Sequence, residues 1–197
     1  MFYFISGTPR CGKTTLAKMA RSHIDGQIIA TDGFMKSLQE NTEKEWYPNL
    51  FYHTQEIIYG NDAIDKKIEG ARGRDAVVWK FLKPYLKEAI FTHDDVLIEG
   101  TIWPDMLQEL DDEYRAVFLV DTDENHFERL MHIRENAEHS NWMKDFPEER
   151  MVEFAKFNIA RSMEYIRQCD ELGFPYYDIA DFGIEKAQEL AMKELIG

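Results

Sequence analysis

The sequence predicts an α/β protein, a five-stranded parallel sheet with helices on both faces, and three observations predict it. Five β-prone stretches, at residues 2–6, 27–31, 96–99, 115–120 and 176–179, alternate with helical ones, the order that yields a parallel sheet covered on both sides. Val96-Leu97-Ile98 and Ala116-Val117-Phe118-Leu119-Val120 are unbroken apolar runs, as strands buried on both faces require. The first stretch runs directly into Gly7-Thr8-Pro9-Arg10-Cys11-Gly12-Lys13-Thr14, two glycines bracketing four residues, with Lys and a hydroxyl residue next and a helical segment after them.

Composition sets the frame. The chain has 197 residues, enough for one domain with a sizeable core. No run of about 20 apolar residues could cross a bilayer. Phe2-Tyr3-Phe4-Ile5 reads as the first strand and not as a leader, because no basic stretch precedes it. Two cysteines, Cys11 and Cys169, suggest neither a disulfide framework nor a zinc cluster. With 37 acidic and 23 basic residues the formal charge is −14. That balance argues against a nucleic-acid groove, which needs concentrated Lys and Arg. It leaves room for a nucleotide, which needs only a few local donors. The expected setting is the cytoplasm, with no nucleic-acid and no membrane partner.

Taken in order, the glycines of the loop permit backbone geometry that turns N–H groups toward a polyphosphate, and the helix after it aims its positive end at the same point. The expected nucleotide contacts are Gly7, Thr8, Pro9, Arg10, Cys11, Gly12, Lys13, Thr14 and Thr15. Lys13 is placed to reach the β- and γ-phosphates, and the Thr14 hydroxyl to hold Mg²⁺. Cys11, beside a Lys at a helix start, is either an oxidisable thiol or a residue that fits a tolerant position. Ile28-Ile29-Ala30-Thr31-Asp32-Gly33 reads as a second strand ending in Asp32. A carboxylate there can accept a proton from a hydroxyl under phosphorylation, although Asp-Gly is also a common turn.

From 34 to 94 runs a long aromatic-rich insertion, with helices expected near 53–69 and 75–91 and an interruption at Gly70 and Gly73. Its aromatics are expected to be mostly core, while the segment as a whole could enclose a second substrate. Val96-Leu97-Ile98-Glu99-Gly100 then ends a strand on an acid. Ligands of parallel sheets bind at the carboxyl ends of strands, so Glu99 is a candidate to hold a water of the Mg²⁺ shell or to position the acceptor, although a strand-end acid can equally be a solvated residue. Glu124 to Ala137 reads as a helix with Asp123 as its N-cap, followed by a polar loop to Phe146. The stretch 124–146 is the expected lid. Pro147 opens a helix to about Leu172, with Met151, Ala155, Ile159 and Met163 marking its buried face. Gly173 and Pro175 stop it.

Cations from a closing element stabilise a phosphoryl transition state. Arg129, Arg134 and Arg161 are available beyond the loop, with Arg134 and Arg161 the leading candidates and Arg10 inside the loop itself. Five helical residues set Arg129 and Arg134 about 140° apart, so the two are not expected to share one phosphate. His126, His132 and His139 are expected at the surface, since no zinc-ligand spacing accompanies them.

With these residues together, the chain resembles the nucleoside-monophosphate-kinase-like branch of P-loop proteins, the group of shikimate and gluconate kinases, chloramphenicol phosphotransferase and 2-phosphoglycerate-kinase-like proteins. The likeness takes in the loop, Asp32-Gly33, Val78-Trp79 through Ile98-Glu99-Gly100-Thr101, the arginine-bearing helix, and Leu172-Gly173-Phe174-Pro175-Tyr176-Tyr177-Asp178-Ile179. It implies strand order 2-3-1-4-5, ATP with Mg²⁺ on the loop, acceptor contacts near Asp32 and Glu99, and adenine near Ala180-Asp181-Phe182. The lid lacks the close arginine pair of several members, and the insertion matches none of them. The expectation is one domain over 1–197 that moves the γ-phosphate of ATP to a hydroxyl or phosphate of a small-molecule acceptor. The alternative is a nucleotide-binding switch, though no guanine-specific Asn-Lys-x-Asp segment occurs.

Overall fold

Strand β1 (Phe2–Gly7) lies at the centre of a sheet with β2 (Gly26–Ala30), β3 (Asp95–Glu99), β4 (Tyr114–Val120) and β5 (Tyr176–Asp178). All pairings are parallel and the order is β2-β3-β1-β4-β5, as the resemblance implied. The computed structural model describes residues 1–52, 57, 60–92, 95–136 and 143–197. Much of the polar loop before Phe146, with His139, and part of the helix expected near 53–69 lie outside the described residues.

Alternation along the strands builds two cores. Phe4, Ile98 and Phe118 face helices α3 (Ile64–Thr92), α4 (Pro104–Leu107) and α6 (Glu148–Leu172), packing on Trp79, Leu82, Trp103 and Tyr165. Ile5, Leu97, Val117 and Leu119 face α1 (Lys13–Ala20) and α8 (Ile184–Ile196), packing on Leu16, Ala187, Ala191 and Leu195. Each Leu, Ile, Val or Phe among them, once removed from water, contributes roughly 1.5–3 kcal/mol. A third cluster, with Ala71, Leu130, Met151 and Phe154, joins α3 and α6 to α5 (His126–Asn136). Helices α2 (Thr31–Asn41) and the short α7 (Ile179–Phe182) follow β2 and β5, and a 3-10 turn spans Pro48–Phe51. In register, Ile5 lies beside Glu99 on one side and Val117 on the other. The loop after Gly7 and the carboxylate of Glu99 therefore emerge at the same edge of the sheet.

Five expectations need correction. Strand β2 stops at Ala30, and α2 begins at once. Asp32 thus lies in the first turn of a helix, where its charge complements the helix dipole, and not at a strand end. Gly70 and Gly73 do not interrupt the insertion helix, because α3 runs through both. They make room instead: a Cβ on Gly70 would come within 2.5 Å of the Tyr52 ring, and one on Gly73 within 3.2 Å of Asn49. Along α6 the buried face holds Met151, Phe154, Asn158, Arg161, Tyr165 and Cys169, whereas Met163 is 61% exposed. Three steps of four residues advance about 120° around a helix, enough to carry Met163 out of the core. Trp46, Tyr85 and Phe91 of the insertion are exposed, not core. His126 is fully buried, not at the surface.

Candidate active site

The loop closes on itself. Gly7 and Gly12 take φ of 127° and 80°, in the half of the map that side chains avoid, and Gly12 hands the chain to α1. The Thr8 N–H donates to the Leu119 carbonyl at 3.1 Å, tying the loop to β4. From α8, the Gln188 amide donates to the Gly12 carbonyl at 2.9 Å. Nothing local in the sequence marked Gln188, which acts across 176 residues. The Lys13 ammonium donates to the Thr8 carbonyl at 2.6 Å and is only 9% exposed. Burial lowers its pKa, while Cys11, Glu99 and Asp32 pull the other way and Arg161 adds to the depression. A buried cation resting on a neutral carbonyl is electrostatically underpaired, and an arriving phosphate would complete it.

Beside it, the Thr14 hydroxyl lies 3.3 Å from both carboxylate oxygens of Glu99. Burial raises the Glu99 pKa, Lys13 opposes that and Asp32 reinforces it. A hydroxyl and one carboxylate are hard oxygen donors suited to Mg²⁺, which keeps most of its ligands as water and substrate phosphate. Among the described residues no group of three acids, histidines or cysteines stands together as metal ligands; Thr14 and Glu99 are the pair that could contribute to a cation site beside the loop. The structure thus brings Thr14 and Glu99 together beside the loop that holds Lys13. Asp32 is exposed, and its charge acts on Lys13, Glu99 and Arg10.

Arg161, Arg134 and Arg129 each meet protein partners. Arg161 is 1% exposed and donates to Asp75 at 2.6 Å. The same Asp75 carboxylate accepts from the Trp103 indole at 3.0 Å and from Arg74 at 2.9 Å. Arg161 also lies over the Trp103 ring, 5.0 Å from its centroid, and Trp103 stacks on Tyr165 at 4.6 Å. Arg134 donates to the Phe146 carbonyl at 2.9 Å, which fastens the far end of the polar loop. Arg129 pairs with Asp121, and its charge reaches Cys11. Of the three arginines beyond the loop, Arg129 and Arg161 therefore act electrostatically on loop residues. Asp75 and Trp103 escaped sequence reasoning because Asp75 pairs with Trp103 and Arg161, 28 and 86 residues away.

Behind the loop runs a buried polar chain. Thr8 lies 3.0 Å from both the Cys11 thiol and the Ser162 hydroxyl, and Ser162 accepts from the Asp121 N–H at 3.0 Å. The Asp121 carboxylate meets His126 at 2.5 Å, and the far nitrogen of that ring meets Asn158 at 3.1 Å. Cys11 is wholly buried, and burial raises its pKa against the pull of Lys13. Of the two readings of Cys11, burial favours the residue fitted to a tolerant position over the oxidisable thiol, since the nucleophilic thiolate is disfavoured there.

Burial also pushes the His126 ring down to about 4 from 6.5, with Asp123 acting in the opposite direction. Between those values the unfolded chain binds more protons than the folded one, so stability rises with pH through the window and falls on acidification. The full gap corresponds to about 3 kcal/mol. Urea unfolding at pH 7 and pH 4.5 checks this: the wild type should lose roughly 2–3 kcal/mol more than His126→Gln between the two. Equal losses would remove His126 as the cause.

No protein-family model and no curated protein matches the chain; solved structures do. Shikimate kinase from Bacteroides thetaiotaomicron superposes with a TM-score of 0.53 at 15% identity, over 98% of this chain and 97% of its own. A protein of Eubacterium ventriosum, titled uncharacterized, gives 0.52 at 10% identity over 99% and 97%. TT1252 from Thermus thermophilus gives 0.52 at 16% identity over 100% and 98%. Identities this low speak to architecture alone. With its strand order 2-3-1-4-5 and the glycine loop closing β1, the chain has the fold of the P-loop small-molecule kinases.

Proposed function

We propose that this chain is an ATP-dependent phosphotransferase that moves the γ-phosphate to a hydroxyl or phosphate group of a small molecule. The observation that carries the reading is Lys13, a buried ammonium inside the glycine loop whose hydrogen-bond acceptor is a neutral carbonyl. A triphosphate is the ligand that such a loop and cation suit. Thr14 and Glu99 would hold Mg²⁺, which neutralises charge on the phosphates when bound. Asp32, exposed at the start of α2, would accept the proton of the acceptor hydroxyl. The insertion over 34–94 would enclose that acceptor, and the segment over 124–146 would close over the nucleotide. The proposed setting is the cytoplasm; among the described residues no helix is long and apolar enough to cross a membrane.

The test is ATP consumption with Mg²⁺ in the presence of nucleosides, nucleotides, sugars and hydroxy acids, each added singly. At least one class should raise the rate well above the ATP-only background and acquire a phosphate. ATP bound and hydrolysed at one unchanging rate under all four would favour a nucleotide-dependent regulator instead.

A further inference from the structure

We propose that Gln188, on helix α8, is a positioning residue that aims the Lys13 backbone N–H at the phosphate chain of the nucleotide; this rests on the phosphotransferase reading above. Gly12, the residue before α1, has a φ of 80° and no side chain with which to cap the helix. Its carbonyl takes two donors from distant parts of the chain. The Leu16 N–H, at 3.0 Å, closes the first turn of α1, and the Gln188 amide arrives from α8 at 2.9 Å. A carbonyl oxygen has two lone pairs, so both bonds are held at once.

The consequence lies at the other end of the same peptide unit. A trans peptide is planar, so the Lys13 N–H points opposite to the Gly12 carbonyl. Two bonds on that carbonyl fix the plane, and with it the direction of the N–H. This N–H belongs to the first turn of α1, where a helix offers no acceptor of its own. It is one of the donors that a phosphate loop turns toward an anion. Donation to the carbonyl also polarises the peptide, which strengthens the N–H as a donor.

Gln188 is placed to hold still. It is 7% exposed, and its helix is anchored by Ala187, Ala191 and Leu195, which share a core with Leu16 and Ala17 of α1. The fit against the loop is close. A Cβ on Gly12 would fall 2.4 Å from the Gln188 amide nitrogen and 3.2 Å from the end of Ile184. Glycine at position 12 therefore serves both the φ and the approach of the amide. A donor set before the ligand arrives need not be ordered when it binds.

Gln188→Met keeps the reach of the side chain and removes the donor. Leu16 still serves the Gly12 carbonyl, so no buried group is stranded, and the melting temperature should fall by only about 2–4 °C. Calorimetric titration with the β,γ-imido analogue of ATP and with tripolyphosphate, each with Mg²⁺, reads the loop with and without a base. Both ligands should bind roughly tenfold more weakly than to the wild type, the size of one charge-assisted contact. Gln188→Glu has the wild-type shape, cannot donate when ionised and sets a charge against the carbonyl, so it should lose more of both. Unchanged affinity for the two ligands in either variant overturns the proposal. Loss confined to the nucleotide also overturns it, because α8 would then act on the base and not on the phosphates. Failure of the wild type to bind either ligand would instead bring down the phosphotransferase reading, and the proposal with it.

Discussion

Lys13→Met lowers phosphate transfer by roughly 10²–10³-fold or more while the melting temperature stays within a few degrees of wild type. The kinetic half follows from losing a fixed cation aimed at charge that develops on the phosphates. The stability half follows from the present state of Lys13. Its ammonium is buried, its pKa is lowered by that burial, and its hydrogen bond is to the neutral Thr8 carbonyl. Such a cation contributes little to the resting fold, and Met retains the apolar stem. Thermal melts with initial rates, or with ATP titrations where no acceptor is yet known, separate the two halves. A variant that loses activity only because it unfolds would contradict the account.

Asp75→Ala acts the opposite way, through the fold. The carboxylate is 4% exposed and holds Arg161, Arg74 and the Trp103 indole. Removing it leaves two guanidinium groups and an indole N–H without their acceptor, and stripping one partner from a buried ion pair costs about 3–5 kcal/mol. For a chain of this length that is a loss on the order of 10 °C in melting temperature. Arg161→Met in the Asp75→Ala background should recover part of it, because the stranded charge goes too. Urea midpoints for the two single variants and the double variant give the cycle. Strict additivity would mean that the two side chains stabilise the fold independently.

What could be read in the sequence, and what could not, divides along the range of the forces. Strands at the centre were legible because Val96-Leu97-Ile98 and Ala116 to Val120 must be apolar on both faces, and they form the middle of the sheet. The loop was legible because its glycines, Lys13 and Thr14 act within eight residues. Asp32 was placed one element too early, since Ile28 to Ala30 continues smoothly into a helix with no intervening turn. Gly70 and Gly73 read as breaks because their purpose is a neighbour, Tyr52 and Asn49 packed against α3. The Asp75–Arg161 pair and the Gln188 contact left no local pattern, for each is made between distant parts of the chain. His126 looked like a surface residue on a polar helix until Asp121 and Asn158 proved to be its buried partners.

The most direct measurement follows the γ-phosphate itself. ATP labelled at that position is incubated with Mg²⁺, the protein and a mixture of small metabolites, and the label is traced by chromatography. The account predicts that label moves into an organic phosphate, at a rate that collapses with Lys13→Met. Label that stays in ATP, or appears solely as inorganic phosphate whatever is added, would contradict a phosphotransferase.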